Sequence, residues 1–200
     1  MLAETWMLDL AASPWALAVL FAVVVADAFL VVVPGEAAVS AFGALAVTTG
    51  SPPLIAVIAV GAVAAFCGDA ACFAIGRRVG LERWRWMRGP RVSAAFGWAR
   101  TRLDRSTAVV VFTARFIPFA RLAVNLVAGA SGSPAPRYLA AVAIAAVGWS
   151  TYQASVGAIV GIIVPGGPVV AVIVSVVVAV GLGVVVDAAV ARLSRRRTAE

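Results

Sequence analysis

The chain has 200 residues, 63% of them hydrophobic and only 12% charged, with a mean hydropathy of +1.04. Soluble domains carry about 25% charged residues, so this composition excludes an ordinary soluble domain and predicts an integral membrane protein, a single domain over residues 1–200. The net charge of +7 comes from 16 arginines against 9 acids, without lysine or histidine; placed between apolar segments, it suits membrane lipids of anionic character and no nucleic acid, and the missing histidine excludes a Ser-His-Asp triad, a histidine metal cluster and a histidine phosphatase.

The N-terminus lacks the basic region of a signal peptide and is expected to be retained. Residues 15–33 form the first apolar segment, which ends at Pro34-Gly35-Glu36. Residues 37–48 are apolar but short, since a crossing helix takes about 20 residues. Gly50-Ser51-Pro52-Pro53 breaks the chain, and residues 54–75 are long enough to cross. Cys67 and Cys72 in that span read as small packing residues rather than a disulfide or metal site.

Residues 77–105 hold nine arginines against Glu82 and Asp104, and the positive-inside rule makes them cytoplasmic. Trp84, Trp86 and Trp98 suit an interfacial belt. Val92, Ala95, Phe96, Ala99 and Leu103 recur at helical spacing, which predicts an amphipathic helix on the anionic leaflet. Residues 108–117 are apolar but short and stop at Pro118; residues 119–130 are short as well. Another Gly/Ser/Pro break at 132–136 precedes a long apolar run, 138–164. The turn Pro165-Gly166-Gly167-Pro168 leads to a last transmembrane helix at about 168–190, and Arg192, Arg195, Arg196 and Arg197 place the C-terminus inside.

The chain repeats itself. Pro34 is followed nine residues later by Gly43, and Pro118 eleven residues later by Gly129. Each half then has a break and a long span: Gly68, Gly76 and Gly80 mark the first, Gly148, Gly157 and Gly161 the second. Inverted repeats with broken helices are a transporter signature. The fold class expected is therefore an all-α membrane protein: an inverted repeat of re-entrant helical hairpin plus transmembrane helix, with a cytoplasmic amphipathic helix and a C-terminal transmembrane helix. The hairpins are placed at about 15–49 and 107–131, with proline tips that face each other.

Ionisable residues inside apolar segments are costly and mark function. Here they are Asp27, Glu36, Asp69, Arg115 and Arg121, joined by the polar Asn125 and Gln153. Arginine holds phosphate as a bidentate fork, and helix N-termini favour anions. Arg115, Arg121 and Asn125 are thus expected to bind an anionic substrate. Asp27 and Glu36 can carry the coupling proton. Pro34, Gly35, Pro118 and Gly129 are the structural tip and packing residues. Asp69, about two helical turns before Arg77, is either part of this site or near-interfacial and structural. A salt-bridge cluster that only ties the hairpins together is the plainer reading of the same residues. Asp187 is expected to snorkel or pair with Arg192.

At these residues the chain resembles the DedA family, whose common unit is the VTT or SNARE-associated domain. The resemblance rests on Asp27 followed nine residues on by Glu36 in Pro34-Gly35-Glu36, on Gly76-Arg77-Arg78-Val79-Gly80, on Arg115-Phe116-Ile117-Pro118-Phe119-Ala120-Arg121 with Ala128-Gly129, and on Gly148-Trp149. It covers about residues 20–165. Asp27 stands where glutamate is commoner, and Phe119-Ala120 where many members have glycine. The resemblance implies a lipid flippase of the bacterial inner membrane that moves undecaprenyl phosphate or a phospholipid, coupled to protons or sodium. It implies neither an enzyme nor a cofactor. The alternatives are an ion-coupled exchanger of another small solute and a non-transporting membrane scaffold.

Overall fold

In a computed structural model, residues 9, 12–30, 35–80, 111, 114 and 118–197 are described. Among them the chain is all helical, without strands. Six helices follow one another: α1 (Ala16–Phe29), α2 (Gly35–Thr48), α3 (Leu54–Val79), α4 (Pro118–Ala130), α5 (Ala135–Ile163) and α6 (Gly167–Arg197). α3 and α5, of 26 and 29 residues, are long and apolar enough to cross a membrane. α1 and α2 have 14 residues each and α4 has 13, about 20 Å of helix, which falls short of a hydrocarbon core of about 30 Å. Isoleucines 55, 144 and 162 each expose 74% of their surface; on apolar helices such side chains suit contact with lipid rather than water.

The helix ends follow from local chemistry. The last carbonyls of α2 accept from threonine hydroxyls: Thr48 Oγ1 bonds the Ala44 oxygen at 2.9 Å and Thr49 Oγ1 the Leu45 oxygen at 2.8 Å. Threonine thereby supplies the partner that lipid cannot. α4 ends in a Schellman motif, with Ser133 N–H on the Ala128 oxygen and Gly132 N–H on the Gly129 oxygen, both at 3.2 Å. Gly132 takes φ +72°, which a side chain would resist. Pro118 opens α4 at its first position, where its missing N–H costs nothing.

The chain divides into two compact units. In the first, residues 36–58 and 152–200 bring α2, the second half of α5 and α6 together, with Ala44, Leu45, Ala171 and Val172 in its core. Here the Ser40 hydroxyl, wholly buried, donates to the Gln153 backbone oxygen at 3.1 Å and to its Oε1 at 3.3 Å. In the second, residues 21–35 and 59–151 bring the end of α1, most of α3, α4 and the first half of α5 together, around Phe73, Val124, Val127, Tyr138 and Val142.

Each unit contains the same helix crossing. In the second, a β-carbon on Gly129 would strike the Phe73 carbonyl oxygen, and one on Gly76 the Leu126 carbonyl oxygen. In the first, a β-carbon on Gly43 would strike the Ala154 oxygen, and one on Gly157 the Ser40 oxygen. In all four cases the carbonyl belongs to the residue three before the opposing glycine. Small residues let membrane helices approach backbone to backbone. The glycines that the repeat paired by spacing are thus those on which short and long helices touch: α4 on α3, and α2 on α5.

Three expectations change. Cys67 is exposed rather than a packing residue; only Cys72 is buried. α3 runs on through Arg77 and Arg78 to Val79, because the Gly80 N–H still bonds the Gly76 oxygen at 3.0 Å, so the first two arginines of the basic stretch form a helix end. α6 continues past residue 190 to Arg197. The amphipathic helix expected beyond residue 80 and the proline tip at Pro34 lie outside the described residues.

Candidate functional site

The second unit buries its charges together. Asp27 sits near the end of α1 and is 4% exposed; Asp69 is at 1% on α3; Arg121 is at 6% in the first turn of α4; Asn125 is at 3%, one turn further on. Arg121 and Asn125 are four residues apart, which sets them on one face of α4.

Arg121 Nη2 donates to the Asp27 carboxylate, Oδ2, at 3.0 Å and to the Asp27 backbone oxygen at 2.8 Å. A cation near a helix N-terminus opposes the helix dipole; the Asp27 carboxylate offsets this and supplies the hydrogen bonds that a buried guanidinium needs. Asp27 also accepts from the backbone N–H of Gly35, the first residue of α2. A helix N-terminus is the favourable place for such an anion. Gly35 reaches it because a β-carbon there would lie 2.7 Å from Oδ2.

Arg121 Nε lies 3.9 Å from Asp69 Oδ1. That same oxygen accepts from Asn125 Nδ2 at 2.9 Å, and Asn125 Oδ1 accepts from the Tyr138 hydroxyl at 2.6 Å. The Tyr138 ring is wholly buried and stacks on Phe73 with centroids 4.8 Å apart, and the Arg77 guanidinium lies 5.8 Å over the other ring. Cys72, one turn after Asp69, points its thiol at the Ala28 oxygen, 3.7 Å away. A continuous polar chain thus runs from Asp27 through Arg121, Asp69 and Asn125 to Tyr138, inside apolar helices.

Of the residues expected to form a site, the structure brings together Asp27, Gly35, Asp69, Arg121 and Asn125. Asp69 is buried within the network. Glu36 is half-buried in the first turn of α2, in the other unit. Arg115 and Pro34 lie outside the described residues, as does the meeting of the two proline tips. Sequence reasoning missed Tyr138, which it treated as the start of a span. The available signal was a phenol among apolar residues, since a buried tyrosine hydroxyl finds a partner. Tyr138→Phe is expected to lower stability by about 1 kcal/mol, the usual worth of a buried hydrogen bond, without changing insertion; a thermal melt in detergent measures it.

The family model described as the VTT domain matches residues 33–159, well over half of the chain. No curated protein and no solved structure matches the chain.

Proposed function

Since the chain belongs to the VTT-domain family, the DedA family, we propose that this membrane protein is a flippase that moves an anionic lipid phosphate, undecaprenyl phosphate or a phospholipid, between leaflets, coupled to protons or sodium. The observation that carries this reading is the Arg121–Asp27 pair, buried at 3.0 Å between apolar helices. A buried ion pair is weak as a stabilising device, because desolvation consumes most of its attraction. Its presence in a membrane protein therefore favours a working site.

In this reading Arg121 and Arg115 hold the phosphate, with Asn125 beside them. The headgroup competes with Asp27 for the guanidinium fork, and a proton or sodium ion on Asp27 releases the arginine; Glu36 is a second carrier of the coupling ion. The reciprocal glycine contacts support an inverted repeat in which each short helix is one arm of a re-entrant hairpin. The basic stretch 77–105 and the C-terminus face the cytoplasm, and the membrane is the bacterial inner membrane.

A second reading is a scaffold, favoured by the way Arg121 is held by both the carboxylate and the carbonyl of Asp27. The deciding experiment reconstitutes the protein in liposomes and follows a labelled lipid phosphate, with headgroup competitors, with and without a pH gradient. Transport that competes with lipid phosphates and fails in Arg121→Ala is expected. Equal rates for wild type and Arg121→Ala sink the flippase reading, and transport that ignores lipid phosphate but follows an ion gradient favours the exchanger of another solute.

A further inference from the structure

We propose that the end of the second unit where α3 stops and α5 starts binds the headgroup of an anionic phospholipid through Arg77, Arg78 and Arg137, as a resident lipid rather than as cargo. Arg77 and Arg78 close α3, and Arg137 lies in the first turn of α5. Arg78 and Arg137 are 59 positions apart in the chain, yet the fold sets the two helix ends together. The Tyr138 ring stacks on Phe73 with centroids 4.8 Å apart, and the Arg77 guanidinium lies 5.8 Å over that same Phe73 ring. The end of α4 lies there too: a β-carbon on Gly129 would be 2.8 Å from the Arg77 backbone nitrogen. All three arginines are exposed.

The charge at this end asks for an anion. Residues 70–80 and 128–140 hold these three cations and no acid. Cations in the last turn of α3 suit the negative end of that helix. Arg137 is placed the other way: the start of a helix disfavours a cation, and the first turn of α5 contains no acid to offset it. Arg137 therefore gains nothing for its own helix, and a phosphate beside it removes the conflict. Residues 48–68 and 138–186 hold no charged side chain, so α3 and α5 are charged at this one end and not at the other.

The surface next to the arginines favours a lipid over a free phosphate ester. On α5, Ala140, Ile144 and Val147 follow Arg137 at three, seven and ten residues, which puts them on its face, and all are exposed. On α3, Ala74 and Cys67 precede Arg78 by four and eleven residues and are exposed as well. Each span thus carries arginine above an apolar stripe, a match for a charged headgroup with acyl chains beneath it. With the orientation proposed above, this is the cytoplasmic leaflet; the site itself does not depend on transport.

The test titrates the full chain, delipidated in a neutral detergent, with phosphatidylglycerol and with phosphatidylcholine of the same acyl chains, and reads bound lipid by native mass spectrometry. Each arginine is worth about fivefold in affinity for an anionic headgroup. Arg78→Gln should therefore weaken phosphatidylglycerol about fivefold. The triple variant Arg77→Gln, Arg78→Gln, Arg137→Gln should weaken it about a hundredfold, with phosphatidylcholine unchanged. Where the triple variant does not fold, Arg78→Gln with Arg137→Gln spares the contact of Arg77 with Phe73 and should lose about twentyfold. A preference for phosphatidylglycerol that survives these substitutions overturns the proposal. Glycerophosphoglycerol, the same headgroup without tails, should not displace the lipid at equal concentration; displacement would assign the arginines to a free phosphate ester and overturn the lipid assignment. Loss of the preference in variants of a protein that moves no lipid keeps this site and removes only the transport reading.

Discussion

Arg121→Leu is expected to cost about 3–5 kcal/mol of stability, since removing one partner strands buried charge. Asp27 would lose the guanidinium 3.0 Å away and Asp69 the one 3.9 Å away, and both acids are under 5% exposed. The loss should show as a lower melting temperature in detergent, with reduced insertion if it exceeds the margin of the fold. The informative comparison is the triple variant Asp27→Asn, Asp69→Asn, Arg121→Leu. Replacing a whole buried ionic group by neutral residues is often nearly neutral or stabilising. Most of the lost stability should therefore return, while lipid transport stays absent. A triple variant as unstable as Arg121→Leu would mean that the charges are the glue of this unit. A triple variant that is stable and still transports would remove them from the function.

Alanine at any of the four crossing glycines is the second large effect. At Gly76, Gly129, Gly43 or Gly157 a β-carbon meets a backbone carbonyl, which cannot rotate away as a side chain can. The helices must separate, and overpacking of this kind costs about 1–3 kcal/mol or more, even though alanine is the better helix former by about 1 kcal/mol. Gly129→Ala and Gly157→Ala should lower the melting temperature similarly, because the two crossings are built alike. Gly181, on α6, is the control: nothing lies within 4 Å of a β-carbon there. Gly181→Ala should leave stability unchanged or raise it by about 0.5–1 kcal/mol. Equal tolerance at all five positions would show that close backbone contact is not what holds the units together.

Much of this protein was legible in its sequence because the signals are local. Apolar runs against the thickness of a bilayer predicted the long α3 and α5 and the short α2 and α4. Gly132-Ser133-Pro134 marked a helix end because only glycine takes the left-handed turn without strain. The family was legible from Pro34-Gly35-Glu36 and from the arginine motif around Pro118, and the match over residues 33–159 bears it out. The spacing of proline to glycine in each half disclosed the repeat.

Contacts between distant residues were not legible. Charge alone marks Asp27, Asp69 and Arg121 as costly, but spacing along one chain cannot say which acid faces which base. That pairing depends on how helices 94 residues apart in sequence pack. Tertiary structure decided that Arg121 sits between two carboxylates rather than against one. It brought Tyr138 in through a side-chain amide 13 residues away. It also made Asp69, placed by spacing alone either at the interface or in the site, one of the most buried groups in the unit. Local patterning set what each helix could be; packing set which buried charges face one another, because only the folded chain brings residues 27, 69 and 121 within reach.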